Sequence, residues 1–318
     1  MTSYSVLYPH QPRVPSELAG FAELVAESAF VRLWTGQSFF IESHMALASL
    51  AGTPHAVPVG IATALVPLRT PYDAALQARS LAFVLGQPVT VAYGASDPQF
   101  TTSLTGRPYE RPASHVAEYA RIVRQLLDGA TVSSDVERLE TMRAFLPPGP
   151  PVSVEVGTGV LRAGMARRSR TADVVVSWLT PRGYVRDVLL PELGPEPPRV
   201  VTNVHVAVDR EGRNPYLLAQ MACQNHLGKL HYVDMLRRAG LDLHPGDTAS
   251  GARELVRRKV FVVGSPGEIA AELRDIGRHG IDEIVLNTTG VAMLHGDEEA
   301  LHDLRDISDA VRRDTDGS

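Results

Sequence analysis

Residues 34–53, WTGQSFFIESHMALASLAGT, 57–86, VPVGIATALVPLRTPYDAALQARSLAFVLG, and 88–97, PVTVAYGASD, decide the fold. Two apolar, strand-like runs end in polar or glycine residues, each feeds an amphipathic helix, and a third strand follows. Strand, helix, strand, helix, strand joined by short loops implies parallel pairing, because parallel neighbours need a helical crossover between them. In such sheets binding and chemistry gather where strands end, so function is expected at those ends.

Working outward, the same alternation recurs. Strands are predicted at 4–8, 30–34, 57–65, 88–93, 152–156, 172–176, 200–208 and 282–286, most of them continuous apolar runs, as expected of strands covered on both faces. Ser16 is placed to cap the first helix, Ser265 and Glu268 form a capping box before the last strand, and a helix over 298–313 follows it. Eight strands with their helices fit a (β/α)8 TIM barrel occupying residues 1–318 as one domain. A doubly wound open sheet fits the same local pattern, since closure is not written in any short segment. Three segments exceed a minimal barrel. Residues 97–112 follow the fourth strand on the catalytic face, so Phe100, Arg107, Tyr109 and Arg111 are candidate substrate-binding residues. Residues 128–151 end in LPPGPP and read as a stiff connector, while 214–258, containing QNHLGKLHY, exceed one crossover helix and are placed to fold over the mouth.

Composition narrows the function classes. The 318 residues are 44% hydrophobic, enough for a large core, and the net charge of −5 argues against general nucleic-acid affinity. A single cysteine, Cys223, excludes an intramolecular disulfide and a cysteine-based zinc cluster. The start MTSYSVLYPHQPR lacks the basic and apolar regions of a signal peptide and no run reaches the ~20 apolar residues of a membrane span, so a cytoplasmic protein acting on a small molecule is expected. Lys229 and Lys259 are the only lysines, and neither is predicted at a strand end, which argues against Schiff-base chemistry.

The segment VGTGVLRAG, 156–164, carries a strand into Gly-x-Gly and then a helix, a pattern that suits an anionic phosphate or simply a tight turn. It is not the dinucleotide fingerprint, because the third glycine, Gly164, falls two positions late. For proton chemistry the candidates are His10, able to act as a general acid near neutral pH, and Gln37, which hydrogen-bonds but cannot titrate. Asn287, Thr288 and Thr289 finish the last strand and are candidates for further polar contacts. His226 and His231, five apart, do not share a helix face as a metal pair would, and no metal site is predicted. Arg162, Arg167, Arg168 and Arg170 form a basic helix end, read as solvated or as meeting a phosphate.

The strand at 57–66, the turn PLRTP at 67–71, ARSLA at 78–82, and GSPGEI at 264–269 running to IDEI at 281–284 resemble the luciferase-like monooxygenase superfamily. Its members use reduced flavin or the deazaflavin coenzyme F420 inside a (β/α)8 barrel, and the resemblance, which covers most of the chain, selects the closed barrel. It implies a cofactor phosphate held after the fifth and sixth strands, by Gly157, Thr158, Gly159 and Gly164 and by the Ser177-Trp178-Leu179 turn. It implies a bulge at Ala62-Thr63-Ala64, often with a non-prolyl cis peptide in deazaflavin-dependent relatives, where Thr63 and Ala64, with Tyr93 on the next strand, would support the cofactor ring. Many members carry an acidic residue and a histidine after the second strand; here that place reads WTGQS, 34–38, with Glu42 and His44 already in the next helix. The implied activity is hydride transfer from reduced coenzyme F420 to a C=C, C=N or C=O group of a small organic molecule, such as a secondary metabolite. The alternative is an FMN-dependent monooxygenase using O2. A homodimer is implied through early helices containing Ala46, Ala48, Ala74 and Ala75, with no nucleic acid or membrane as partner.

Overall fold

The computed structural model describes residues 2–316. Eight parallel strands carry the architecture: β1 (Ser3–Leu7), β2 (Leu33–Thr35), β3 (Val59–Leu65), β4 (Val89–Gly94), β5 (Val154–Gly159), β6 (Val174–Trp178), β7 (Arg199–Val208) and β8 (Glu283–Asn287). They pair in the order β7-β8-β1-β2-β3-β4-β5-β6, and β6 pairs back onto β7, from Val174↔Arg199 to Trp178↔Asn203. The sheet closes, so the chain is a (β/α)8 barrel and each predicted strand is one of its staves.

The departures from the sequence reading are local. The connector at 128–151 holds an antiparallel hairpin, Val132–Ser134 with Thr141–Ala144. A further strand, Phe261–Gly264, pairs with His205–Val208, because the ten residues of β7 outrun its pairing with β8. Ser16 caps nothing: a 3-10 turn, Pro15–Leu18, precedes the helix Ala19–Glu27, and the Glu17 carboxylate instead accepts the Arg13 amide at 2.8 Å. The capping box at Ser265 and Glu268 is present. Ala46, Ala74 and Ala75 are fully buried against the protein's own core.

A closed barrel must fill its own inside, and this one does so in two layers. The lower layer is ionic. Arg199 bridges Glu155 and Glu283, both at 2.5 Å, and Arg32 lies 3.6 Å from Glu155 and 3.8 Å from Glu283. Glu283, at 1% exposure, also accepts the Ser5 hydroxyl and the Trp34 indole N–H, each at 2.6 Å. Above lie Leu7, Trp34, Ala62, Ala92, Val174, Val176, Val201 and Val285. Trp34 rests on Gly60, where a Cβ would come within 2.3 Å of the indole, so glycine is required there. Among the described residues no helix is long and apolar enough to cross a membrane.

Removing one member of a buried charge set leaves its partners unpaired, at a cost of about 3 kcal/mol. Glu283→Leu is expected to lower the unfolding free energy by that amount in urea denaturation; a loss below ~1 kcal/mol would show that the ionic floor is not structural.

Candidate active site

The barrel mouth, at the C-terminal ends of β2 to β6, opens into a cavity of about 750 Å³. Its base is set by β3. The Ala62–Thr63 peptide is cis, and the β3–β4 register shifts between Ala62 and Ala64, so Thr63 bulges out of the ladder. The two following strands make room for it. A Cβ at Gly94 would lie 2.6 Å from Thr63 Oγ1, and one at Gly159 would lie 2.7 Å from Thr63 Cγ2. Gln37 ties the β2 loop to this bulge: its Oε1 accepts the Leu65 amide at 3.3 Å while its Nε2 donates to the Ser38 carbonyl at 2.8 Å.

The opposite wall is aromatic. Trp178, at the end of β6, stacks on His226 with ring centroids 5.6 Å apart, and Tyr232 meets His226 edge-on at 4.9 Å. Beneath them His205 lies parallel to Phe261 at 5.7 Å, with Asn287 Nδ2 3.4 Å from its Nε2. Burial, then the His226 charge, push His205 down to about 3; burial, then His231, push His226 down to about 4. Both rings are therefore neutral at pH 7. Burial, then Arg162, lower His231 as well. None of the residues lining the cavity is Asp, Glu, Lys or Arg. Charged pairs adjoin the lining in sequence: Asp97, next to Pro98, pairs with Lys229 at 2.8 Å, and Arg162, next to Leu161, pairs with Asp234 at 2.9 Å.

Of the residues singled out from sequence, the structure brings Gln37, Thr63, Gly159, Trp178 and Tyr109 to this cavity. Others go elsewhere. His10 Nε2 is bound to Asp297 at 2.8 Å and lies outside the lining. The Gly157, Thr158 and Gly159 expected in a turn belong to β5 and pair with β6, so their backbone is taken up in the sheet. Gly157 has its own reason, since a Cβ there would meet Val174 Cγ1 at 2.4 Å. Thr158 and Ser177 turn outward, bonding Ser169 at 2.7 Å and Thr202 at 2.9 Å. Tyr93 is fully buried against Tyr119, Ala64 is fully buried, and Gly164 is exposed on the helix Ala163–Arg168.

The 97–112 segment divides. Tyr109 stacks on His115 at 4.0 Å and lines the cavity; Phe100 packs on Phe39 at 5.3 Å. Arg107 pairs with Glu137, and exposed Arg111 precedes the helix Pro112–Leu127, both facing a separate groove. Asn287 and Thr288 are buried, and Thr289 bonds the Pro9 carbonyl at 3.2 Å. Arg167 binds Glu192 at 2.7 Å, Arg168 binds Ser114 at 3.0 Å and Arg170 the Glu192 carbonyl at 2.8 Å.

The sequence reading missed His205, His226, His231 and Tyr232 as parts of one wall. His226 ends the helix Pro215–Leu227 and His231 lies in the next, Leu230–Arg238, so their spacing on a single helix did not apply. The signal was present in QNHLGKLHY, where Gly228-Lys229 breaks the helix and turns the aromatic cluster toward the mouth.

A barrel with a deep, uncharged cavity at its strand ends defines a class of enzyme that works on a small molecule and carries few groups for proton chemistry of its own. The luciferase-like monooxygenase profile matches residues 3–283, and the chain belongs to that family, an oxidoreductase family. Three solved structures share the fold. An F420-dependent secondary alcohol dehydrogenase in complex with an F420-acetone adduct superposes with a TM-score of 0.74 at 17% identity, covering 98% of this chain and 99% of that one. The coenzyme F420-dependent tetrahydromethanopterin reductase from Methanopyrus kandleri gives 0.72 at 14%, with the same coverage. The oxygenating constituent of 3,6-diketocamphane monooxygenase from Pseudomonas putida, in complex with FMN, gives 0.67 at 13%, covering 98% of each chain. No curated protein matches the chain by sequence.

The two buried histidines give stability a pH dependence. Their folded values lie below the ordinary 6.5, so below that pH the unfolded chain binds more protons and stability falls until about 3 is passed. The urea midpoint is expected to decline between pH 7 and 4.5, and less steeply in His205→Asn; parallel declines would show that His205 is not the group responsible.

Proposed function

We propose that the protein is a reductase that transfers hydride from reduced coenzyme F420 to a C=O, C=N or C=C group of a small organic molecule. The observation that carries this reading is the Thr63 bulge, seated between Gly94 and Gly159 at the base of the cavity. Small residues there, Gly36, Ala62 and Gly94 among them, leave a flat surface on which a tricyclic ring can lie against backbone. A cavity of about 750 Å³ is within the range of roughly 300–1,000 Å³ usual for small-molecule sites. Its uncharged lining suits the ring and not the phosphate, so the cofactor tail would run outward past Leu161 toward Arg162 at the rim.

A bound cofactor would supply the hydride, and water at the mouth the proton that completes the reduced product. The chain's own part is to hold the ring at Thr63, to keep water from the reacting face with the 97–112 segment and the helices carrying His226 and Tyr232, and to orient the substrate. Gln37 offers a hydrogen bond that no pH change removes. Coenzyme F420 is the preferred cofactor because the wording of the 57–71 and 264–284 segments resembles the deazaflavin-dependent members most. The second reading is an FMN-dependent monooxygenase using O2, since the family matched over residues 3–283 is the luciferase-like monooxygenases.

Titrating the full chain with reduced coenzyme F420 and with reduced FMN decides between them. Binding of the deazaflavin about tenfold tighter is expected, with Gly159→Val, which crowds Thr63, losing it while its melting temperature confirms folding. Tighter FMN binding would establish the monooxygenase reading, and binding of neither would remove the cofactor assignment.

We also propose a homodimer. Of the alanines expected at its interface Ala46, Ala74 and Ala75 are buried and Ala48 is half-buried, but the helix Pro71–Leu85 exposes Leu76, Phe83 and Val84, and Met45 stands out on the helix Ser43–Ala48, which packs beside it. Light scattering is expected to give about twice the chain mass of 34.4 kDa, and Phe83→Glu to give the single mass; a monomeric wild type would end the proposal.

A further inference from the structure

Every residue lining the mouth is uncharged in type except His226, held neutral by burial, and His231, whose pKa burial and Arg162 push down. The wall that faces a ligand is a stack of flat rings, Trp178 on His226, with Tyr109 on His115 across the opening. His226 makes no side-chain hydrogen bond among the described residues, and its Nδ1 is sealed from solvent without a partner. The edge carrying Nε2 is thus the one left to meet a ligand. A neutral imidazole has one N–H, and placing it on Nε2 leaves only a lone pair buried at Nδ1 while offering a donor to the cavity.

We propose that the substrate is an uncharged, planar molecule bearing a hydrogen-bond acceptor, stacked against Trp178 and read by the Nε2–H of His226. A charged group would be desolvated in the cavity with no opposite charge to meet it. A molecule without an acceptor would leave the imidazole N–H unpaired on closure, so the wall discriminates carbonyls and imines from plain hydrocarbons. His226 is a specificity-determining residue in this account, acting at the substrate and not at the cofactor. The inference rests on the reductase reading for its chemistry, but not for its binding step.

The chain provides its own reporter. It contains two tryptophans, and Trp34 is buried at 1% exposure beneath the cavity, so a mouth ligand is read through Trp178. Quenching of the full-length protein by acetophenone is expected to saturate and to vanish in Trp178→Phe. Its carboxylate analogue, 4-acetylbenzoate, is expected to bind about a hundredfold more weakly, and ethylbenzene, measured by competition, about tenfold more weakly. His226→Leu is expected to erase the gap between acetophenone and ethylbenzene, and His226→Asn, which keeps a neutral donor, to restore it. Saturable binding of 4-acetylbenzoate as tight as the ketone's, a gap unchanged by His226→Leu, or no saturable quenching by acetophenone would each overturn the proposal. Titration of the same variants with reduced coenzyme F420 separates the two readings: cofactor binding lost while ketone discrimination persists removes the reductase alone, and the converse removes the substrate wall alone.

Discussion

The barrel depends on the carboxylate of Glu283. At the first residue of β8 it receives a guanidinium from Arg199, a hydroxyl from Ser5 and the indole N–H of Trp34, so one buried anion joins β7, β8, β1 and β2. Closing a sheet leaves a narrow interior that side chains from alternate strands must fill, and the widest of them here is Trp34. Its ring fits only because Gly60, next to it on β3, has no side chain, and it is aimed only because Glu283 holds its nitrogen. Glu155 and Arg32 complete the charge balance, so the floor carries two cations and two anions in contact and no charge is left alone.

A floor filled this way sends the remaining volume to the other end. Above Trp34 the interior residues shrink to Ala62, Ala92 and Gly159, and β3 bulges inward at Thr63 where its neighbours offer only glycine. The base of the cavity is therefore set by side-chain size across three adjacent strands. The loops set what covers it. Lys229, in the turn between the helices Pro215–Leu227 and Leu230–Arg238, pairs with Asp97, which caps the helix Pro98–Thr105, and so ties two covering segments across the mouth.

This division explains what could be read from the chain and what could not. The eight strands were legible because a strand buried on both faces is a continuous apolar run, and its place is fixed by local composition. The capping box at Ser265 was legible because its two partners are three residues apart. Gly159 was noticed for a Gly-x-Gly pattern that suggested a phosphate turn; its observed role, making room for Thr63, depends on a residue ninety-six positions earlier. His10 followed the first strand as a mouth residue should, yet its ring turned to Asp297, a contact that only the return of the C-terminal helix creates. His205 and His226 come from a strand and a helix distant in sequence, and both rings pack on Trp178, so no spacing within either segment could have paired them.

The aromatic wall is built at a cost that folding does not require. Trp178 Nε1 and His226 Nδ1 are both buried without a hydrogen-bond partner, and an unsatisfied buried polar atom costs about 1–3 kcal/mol. Phenylalanine and leucine at these places would fill similar volume with no such penalty. A wall that keeps polar rings flat, stacked and neutral gives up stability for a surface that is polarisable, directional and free of charge. Such a surface gains nothing against water and little against an ion. It gains most against a flat organic molecule that brings its own acceptor, because the neutral imidazole N–H then finds a partner without an ion having to be desolvated.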